Sequence, residues 1–145
     1  MSVIENINKA FQLAFKISPK VGKFPYLAET LRRAGIERNR WFLPGCTSIY
    51  YTSSGEKVVN QMESLLPYGM HEIKPFNRNL VVDAIRKDQA GETEFPQFLK
   101  CIWEGGVVSY EVDFVNRVCT YYGADEKEFY EEYYSHVDIN TTQNE

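Results

Sequence analysis

The sequence predicts an α+β fold in which two tandem helix-helix-β-hairpin units with antiparallel sheet pack as one pseudo-twofold domain. Three observations carry this: an internal repeat, amphipathic helices with recognisable ends, and alternating strands set off by turn residues. The repeat shows when Phe24-Pro25 is aligned on Phe95-Pro96 without gaps. Leu31 then falls on Ile102, Gly35 on Gly106, Ile36 on Val107 and Tyr50-Tyr51 on Tyr121-Tyr122, each pair 71 residues apart. Phe-Pro occurs only twice in the chain, so its agreement with a shared Gly and a shared Tyr-Tyr is hard to assign to chance. Upstream, Ala10-Phe11 and Ala14-Phe15 match Leu80-Val81 and Ala84-Ile85 at a spacing of 70, which leaves one residue of slack. Two copies are too few for a solenoid. The units, about 1–75 and 76–139, are therefore expected to share a core, with 140–145 a disordered tail.

Each unit opens on an amphipathic helix. Ser2 and Glu5 form a capping-box pattern ahead of Val3, Ile7, Phe11, Ala14 and Phe15, which follow the helical period. In the second unit Asn79 is the expected cap for a helix carrying Leu80, Val81, Ala84 and Ile85. Phe-Pro then starts a second helix, because proline's missing N–H has no partner in a first turn anyway. Gly35 and Gly106 stand where a helix end favours a left-handed residue. A hairpin follows. Val108, Tyr110, Val112 and Phe114 alternate with Ser109, Glu111 and Asp113, the signature of a half-buried strand, and Val118 to Tyr122 returns. In the first unit the strands are Ile36 to Leu43 and Thr47 to Tyr51, joined by Pro44-Gly45 as a type II turn. A third strand is expected from near Lys57 and near Glu128. No βαβ crossover and no nucleotide-binding glycine loop is visible.

Composition narrows the function classes. At 145 residues with 43% hydrophobic and 25% charged residues, the chain is long enough for a proper core and unlike a disordered protein. Aromatic content of 14% points to a well-filled core, a sticky surface, or both. No apolar run approaches the roughly 20 residues needed to span a bilayer. Glu5 stands where a signal peptide carries basic residues, and the three cysteines (Cys46, Cys101, Cys119) are odd in number and far apart. The expected location is cytoplasmic, with reduced thiols. Charge is uneven: Met1 to Lys57 holds nine Lys/Arg against four Asp/Glu, and the remainder seven against sixteen. Such a split can steer a partner or a second copy of the chain, or reflect drift in surface charge.

Candidate sites follow from residue chemistry. Both histidines fall near the unit ends, in Tyr68-Gly69-Met70-His71 and Tyr133-Tyr134-Ser135-His136. His71 and His136 at matching positions are the ligand or metal candidates, since imidazole titrates near neutral pH, but neither has an HxH, HExxH or neighbouring Cys. As polar residues closing a strand they need no function. No GxSxG elbow is present, and Cys101 and Cys119 read as core positions, so no catalytic residue is expected. Arg32, Arg33, Arg38 and Arg40, with Trp41 and Tyr26 close by, form the anion or nucleic-acid candidate. A pI of about 5.3 makes general nucleic-acid affinity unlikely by charge, and these arginines equally suit the wet faces of a helix and a strand. Tyr130, Tyr133 and Tyr134 are the interface candidates, because tyrosine offers broad contact area with one polar tip.

The runs Ala90-Gly91-Glu92, Phe95-Pro96, Gly105 to Phe114 and Thr120 to Ala124 resemble a bacterial family of small proteins of unknown function, sometimes labelled "phage envelope protein". The likeness covers nearly the whole chain and is strongest in the second unit. It implies no activity, substrate or site residue, and its label implies only a prophage origin. The chain departs from the family pattern after Gly123-Ala124, where Asp125-Glu126-Lys127 replace a second Gly followed by Glu. Together these readings give a cytoplasmic protein-interaction module without catalytic signature or cofactor, expected to be a homodimer and not a membrane protein. The alternative is a small enzyme or ligand-binding protein with a pocket between the units lined by His71 and His136.

Overall fold

The computed structural model describes Ser2 to Ile139; the tail expected at 140–145 lies outside the described residues. The chain runs α1 (Val3–Ile17), α2 (Phe24–Arg33), β1 (Ile36–Phe42), β2 (Thr47–Thr52), β3 (Lys57–Gln61), α3 (Arg78–Gln89), α4 (Phe95–Glu104), β4 (Ser109–Asp113), β5 (Val118–Tyr122) and β6 (Phe129–Tyr133). All strands join one antiparallel six-stranded sheet in the order β3-β2-β1-β4-β5-β6. Each unit thus contributes a three-stranded meander, and the first strands of the two meet at a central seam. Along the seam Arg40 faces Glu111, residues that the 71-residue spacing makes equivalent, which fits a twofold relation between the halves.

Local chemistry sets the element ends. Ser2 Oγ accepts from Glu5 N at 3.1 Å and caps α1. The α3 cap is Asn77 rather than Asn79: its side chain accepts from Leu80 N, so the helix starts two residues earlier. Gln97 Oε1 accepts from Glu94 N at 2.8 Å and fixes the entry to α4. Gly35 and Gly106 end α2 and α4 with φ of +92° and +88°. The β1–β2 turn is not the expected type II, because its left-handed residue is Cys46 (φ +50°) and not Gly45. Arg117 (φ +57°) holds the same place in the β4–β5 turn, again 71 residues on.

The four helices cover one face of the sheet. On α4, Phe98, Leu99, Ile102 and Trp103 are buried at helical spacing, each contributing about 1.5–3 kcal/mol. α1 buries Ile7, Ala10 and Ala14 instead of the larger stripe expected from its sequence. Phe11 keeps only an edge contact with Tyr50, and Phe15 is 90% exposed. Beneath the helices Trp41, Tyr110, Tyr121 and Tyr130 pair directly across β1, β4, β5 and β6. Neighbouring rings are stacked with centroids 5.4 to 6.4 Å apart. Burial pushes the Tyr110 and Tyr121 hydroxyls well above the ordinary tyrosine range, so both stay neutral.

Candidate functional site: the open face of the sheet

Side chains of a strand alternate between faces, so the register that buries Trp41 turns Arg40 and Phe42 the other way. Three cross-strand rows line the uncovered face. The first runs Lys57, Tyr51, Arg38, Asp113, Val118, Tyr133; the second Val59, Ile49, Arg40, Glu111, Thr120, Glu131. The third runs Gln61, Thr47, Phe42, Ser109, Tyr122, Phe129. Phe42, Val59, Phe129 and Tyr133 are 43 to 68% exposed, unusual for the solvent side of a sheet that is otherwise patterned polar-out. Charge divides at the seam: Lys57, Arg38 and Arg40 lie on the first unit, Asp113, Glu111 and Glu131 on the second.

The centre of this face is held by Arg40. Its guanidinium donates to Ser109 Oγ at 3.0 Å and Glu126 Oε1 at 2.8 Å, and lies 4.5 Å from the Tyr122 ring centroid. Arg38 donates to Glu111 at 2.8 Å and stacks 3.7 Å above Tyr51. These pairs tie the units across the seam, although exposed pairs of this kind contribute only about 0–1 kcal/mol each. At the two edges the charges are freer. Among the described residues Glu131 has no ion-pair partner, and Lys57 Nζ reaches only Gly55 O at 3.3 Å.

The candidates named from sequence are scattered by this geometry. Arg32 and Arg33 belong to α2, where both grip Glu29 at 2.7 and 3.0 Å. Trp41 is only 6% exposed on the covered face, so it is a core residue and not part of an anion site with Arg38 and Arg40. Tyr130 is likewise buried, Tyr134 packs edge-on against Phe24 at 5.1 Å, and Tyr133 alone of the three presents its ring on the open face. His71 sits in the exposed connection from β3 to α3, its Nε2 2.9 Å from Pro67 O. His136 follows β6, 3.2 Å from Asp138 and 4.0 Å from Glu29. That connection meets the sheet at Gly106 and Gly123, whereas His136 lies beyond the Arg117 turn at the opposite end of the strands. The two imidazoles are not brought together. Shallow depressions of about 600 and 410 Å³, one at residues 74–80 with Glu104 and one among Ser2, Val3, Asn6, Gly35, Ser53 and Glu56, include neither histidine.

Other side chains offer little chemistry. Burial pushes the Cys119 thiol up to about 12 and raises Cys46, so both keep their protons at neutral pH. Among the described residues no three His, Cys, Asp or Glu side chains gather as a metal site, and no helix is long and apolar enough to cross a membrane. One carboxylate is strongly perturbed. The Arg32 guanidinium bonded to Glu29, helped by Arg33 and opposed by burial, holds its pKa at about 2 against an ordinary 4.5. A depressed carboxylate stabilises the fold above pH 4.5 and loses that contribution as pH falls toward 2. The full shift corresponds to roughly 3 kcal/mol at 1.36 per unit, and exposure of both guanidiniums reduces this to about 1–2 kcal/mol. Urea midpoints should therefore be flat from pH 8 to 5 and drop below. Glu29→Gln should flatten that acid limb; an unchanged limb would discount the pair.

Phe129 belongs to the tyrosine-rich stretch that the sequence marks for protein contact, but Phe42, Ile49, Lys57, Val59 and Glu131 carry no site signal along the chain. Strand alternation in Lys57–Gln61 and Phe129–Tyr133 was the available signal, but which side faces water depends on where the helices pack. Comparison with known proteins adds kinship. Residues 12–133 match a family described as "Protein of unknown function (DUF1398)". The Uncharacterized protein Rv2012 of Mycobacterium tuberculosis is 43% identical over 130 residues, covering 90% of this chain and 78% of the relative. The Uncharacterized protein Mb2035 of Mycobacterium bovis matches equally, at 43% over the same length. These descriptions carry no phage label.

Proposed function

From the premise that this chain belongs to the DUF1398 family of proteins of unknown function, we propose that it is a non-catalytic docking module that binds another polypeptide on the open face of its sheet. The observation that supports this is the combination on one face of exposed Phe42, Val59, Phe129 and Tyr133 with charges of both signs. Aromatic anchors supply contact area, and a mixed charge pattern selects a partner by complementarity rather than by bulk attraction. The acidic half disfavours nucleic acid, which would meet Glu111, Asp113 and Glu131 as readily as Arg38 and Arg40. The working location is the cytoplasm, where free Cys46, Cys101 and Cys119 remain reduced.

The test is capture from an extract of the cells that make the protein. Ile49→Lys with Val118→Lys should abolish capture of a polypeptide, while Phe15→Ser on α1, equally apolar but on the helix side, should leave it intact. Equal capture by all three proteins sinks the reading. A salt-sensitive gel shift with single-stranded oligonucleotides, lost in the sheet variant, would replace it with nucleic-acid binding.

A further inference from the structure

We infer that the occupant of the open face is a second copy of this chain, stacked face to face about a twofold axis that runs along the β1–β4 seam. The inference rests on the docking reading above and names its partner. It is carried by charge. Rotation about an axis parallel to the strands lays β1 over the partner's β4, β2 over its β5 and β3 over its β6. Arg38 and Arg40 are already paired with Glu111 and Glu126 of their own chain, so the selection falls to the edges: the basic edge of each copy at Lys57 then covers the acidic edge of the other at Glu131, twice over. The alternative in-plane axis, perpendicular to the strands, would lay basic on basic and acidic on acidic. The interface is isologous and self-complementary, as closed dimers require. Six strands about 4.8 Å apart and five residues about 3.3 Å apart give a face of roughly 29 by 17 Å. That footprint is at the small end of specific interfaces, so electrostatics should weigh heavily in its stability.

The edge charges make the arrangement specific. Lys57 on β3 and Glu131 on β6 stand at opposite edges of one sheet and cannot meet within a chain. Face-to-face stacking brings each close to the other's counterpart on the second copy, and a lysine side chain spans the single-row offset between them. The outer apolar residues, Val59 and Phe129, are covered in the same step.

Sedimentation velocity on the purified protein tests this over a hundredfold range of concentration at low and high salt. A dimer that weakens as salt rises is expected. Lys57→Glu and Glu131→Lys should each weaken it at least about tenfold, because like charges then face one another across both edges. An equimolar mixture of the two single variants should recover the dimer, since every edge contact is again a pair of opposite sign. The double variant should recover it for the same reason. Thermal unfolding of each variant checks that folding is intact. A monomer at every concentration in low salt, a dimer indifferent to either substitution, or a mixture that fails to recover would each overturn self-pairing. Those outcomes leave the docking module standing if the extract capture still depends on Ile49 and Val118; loss of that dependence removes both.

Discussion

Gly106→Ala is expected to destabilise the protein by at least about 3 kcal/mol, while Gly35→Ala, at the matching position, costs only about 1–2 kcal/mol. Both glycines end a helix in the left-handed region, with φ of +88° and +92°, so both substitutions carry the same backbone penalty. Their surroundings differ. A Cβ on Gly35 would meet only Ser53 Oγ at 3.4 Å, a hydroxyl able to turn away. One on Gly106 would lie 2.6 Å from Phe76 Cα and Pro75 O and 2.8 Å from Lys74 O, all backbone. That backbone is anchored next door, where Asn77 N donates to Gly105 O at 2.8 Å, so it cannot retreat without loosening the start of α3. Urea denaturation of the two variants beside the wild type gives the comparison. Equal losses at both sites would mean the connection yields freely, and the close approach carries no cost.

Trp41→Ala should cost about 3–5 kcal/mol, the range for removing a large buried aromatic side chain. Trp41 packs edge-on against Phe95 at 5.2 Å and stacks on Tyr110 at 6.3 Å, so one ring from the first unit is held between a helix and a strand of the second. Tyr110 is itself held by its stack on Tyr121 at 5.4 Å, which limits how far it can move into the vacated space. The control is Phe42→Ala, one residue along on the open face, where 43% exposure predicts a loss of under about 1.5 kcal/mol. If the Phe42 variant proves the less stable of the two, the assignment of faces is reversed.

Much of the fold was legible because its signals are local. The Phe-Pro helix starts, the helix-ending glycines and the alternation in Ser109–Asp113 each depend on a few adjacent residues. Sheet order was not, since nothing near Arg38 in sequence says that it pairs with Asp113. The same gap explains the misplaced Trp41: a cluster drawn along the chain ignores that successive strand residues face opposite ways. The helical period of α1 is plain in its sequence, but Phe15 follows Ala14 by 100°, enough to leave the sheet's edge. The site suffered most. Its members are distributed over all six strands and share only a face, a property that exists once every register is set.

The seam has a consequence for how the chain reaches its native state. β1, β2 and β3 pair with near neighbours in sequence, as do β4, β5 and β6, so each meander can form early. The seam joins strands more than sixty residues apart and must wait for both. Until it closes, β1 and β4 are bare edges with unpaired N–H and C=O groups and an uncovered Trp41. A second unit from a neighbouring chain satisfies those groups as well as the chain's own, so at high concentration refolding should partition between the fold whose seam closes within one chain and a form whose seam is exchanged between two. Dilution during refolding, more than any stabilising substitution, is what favours the former.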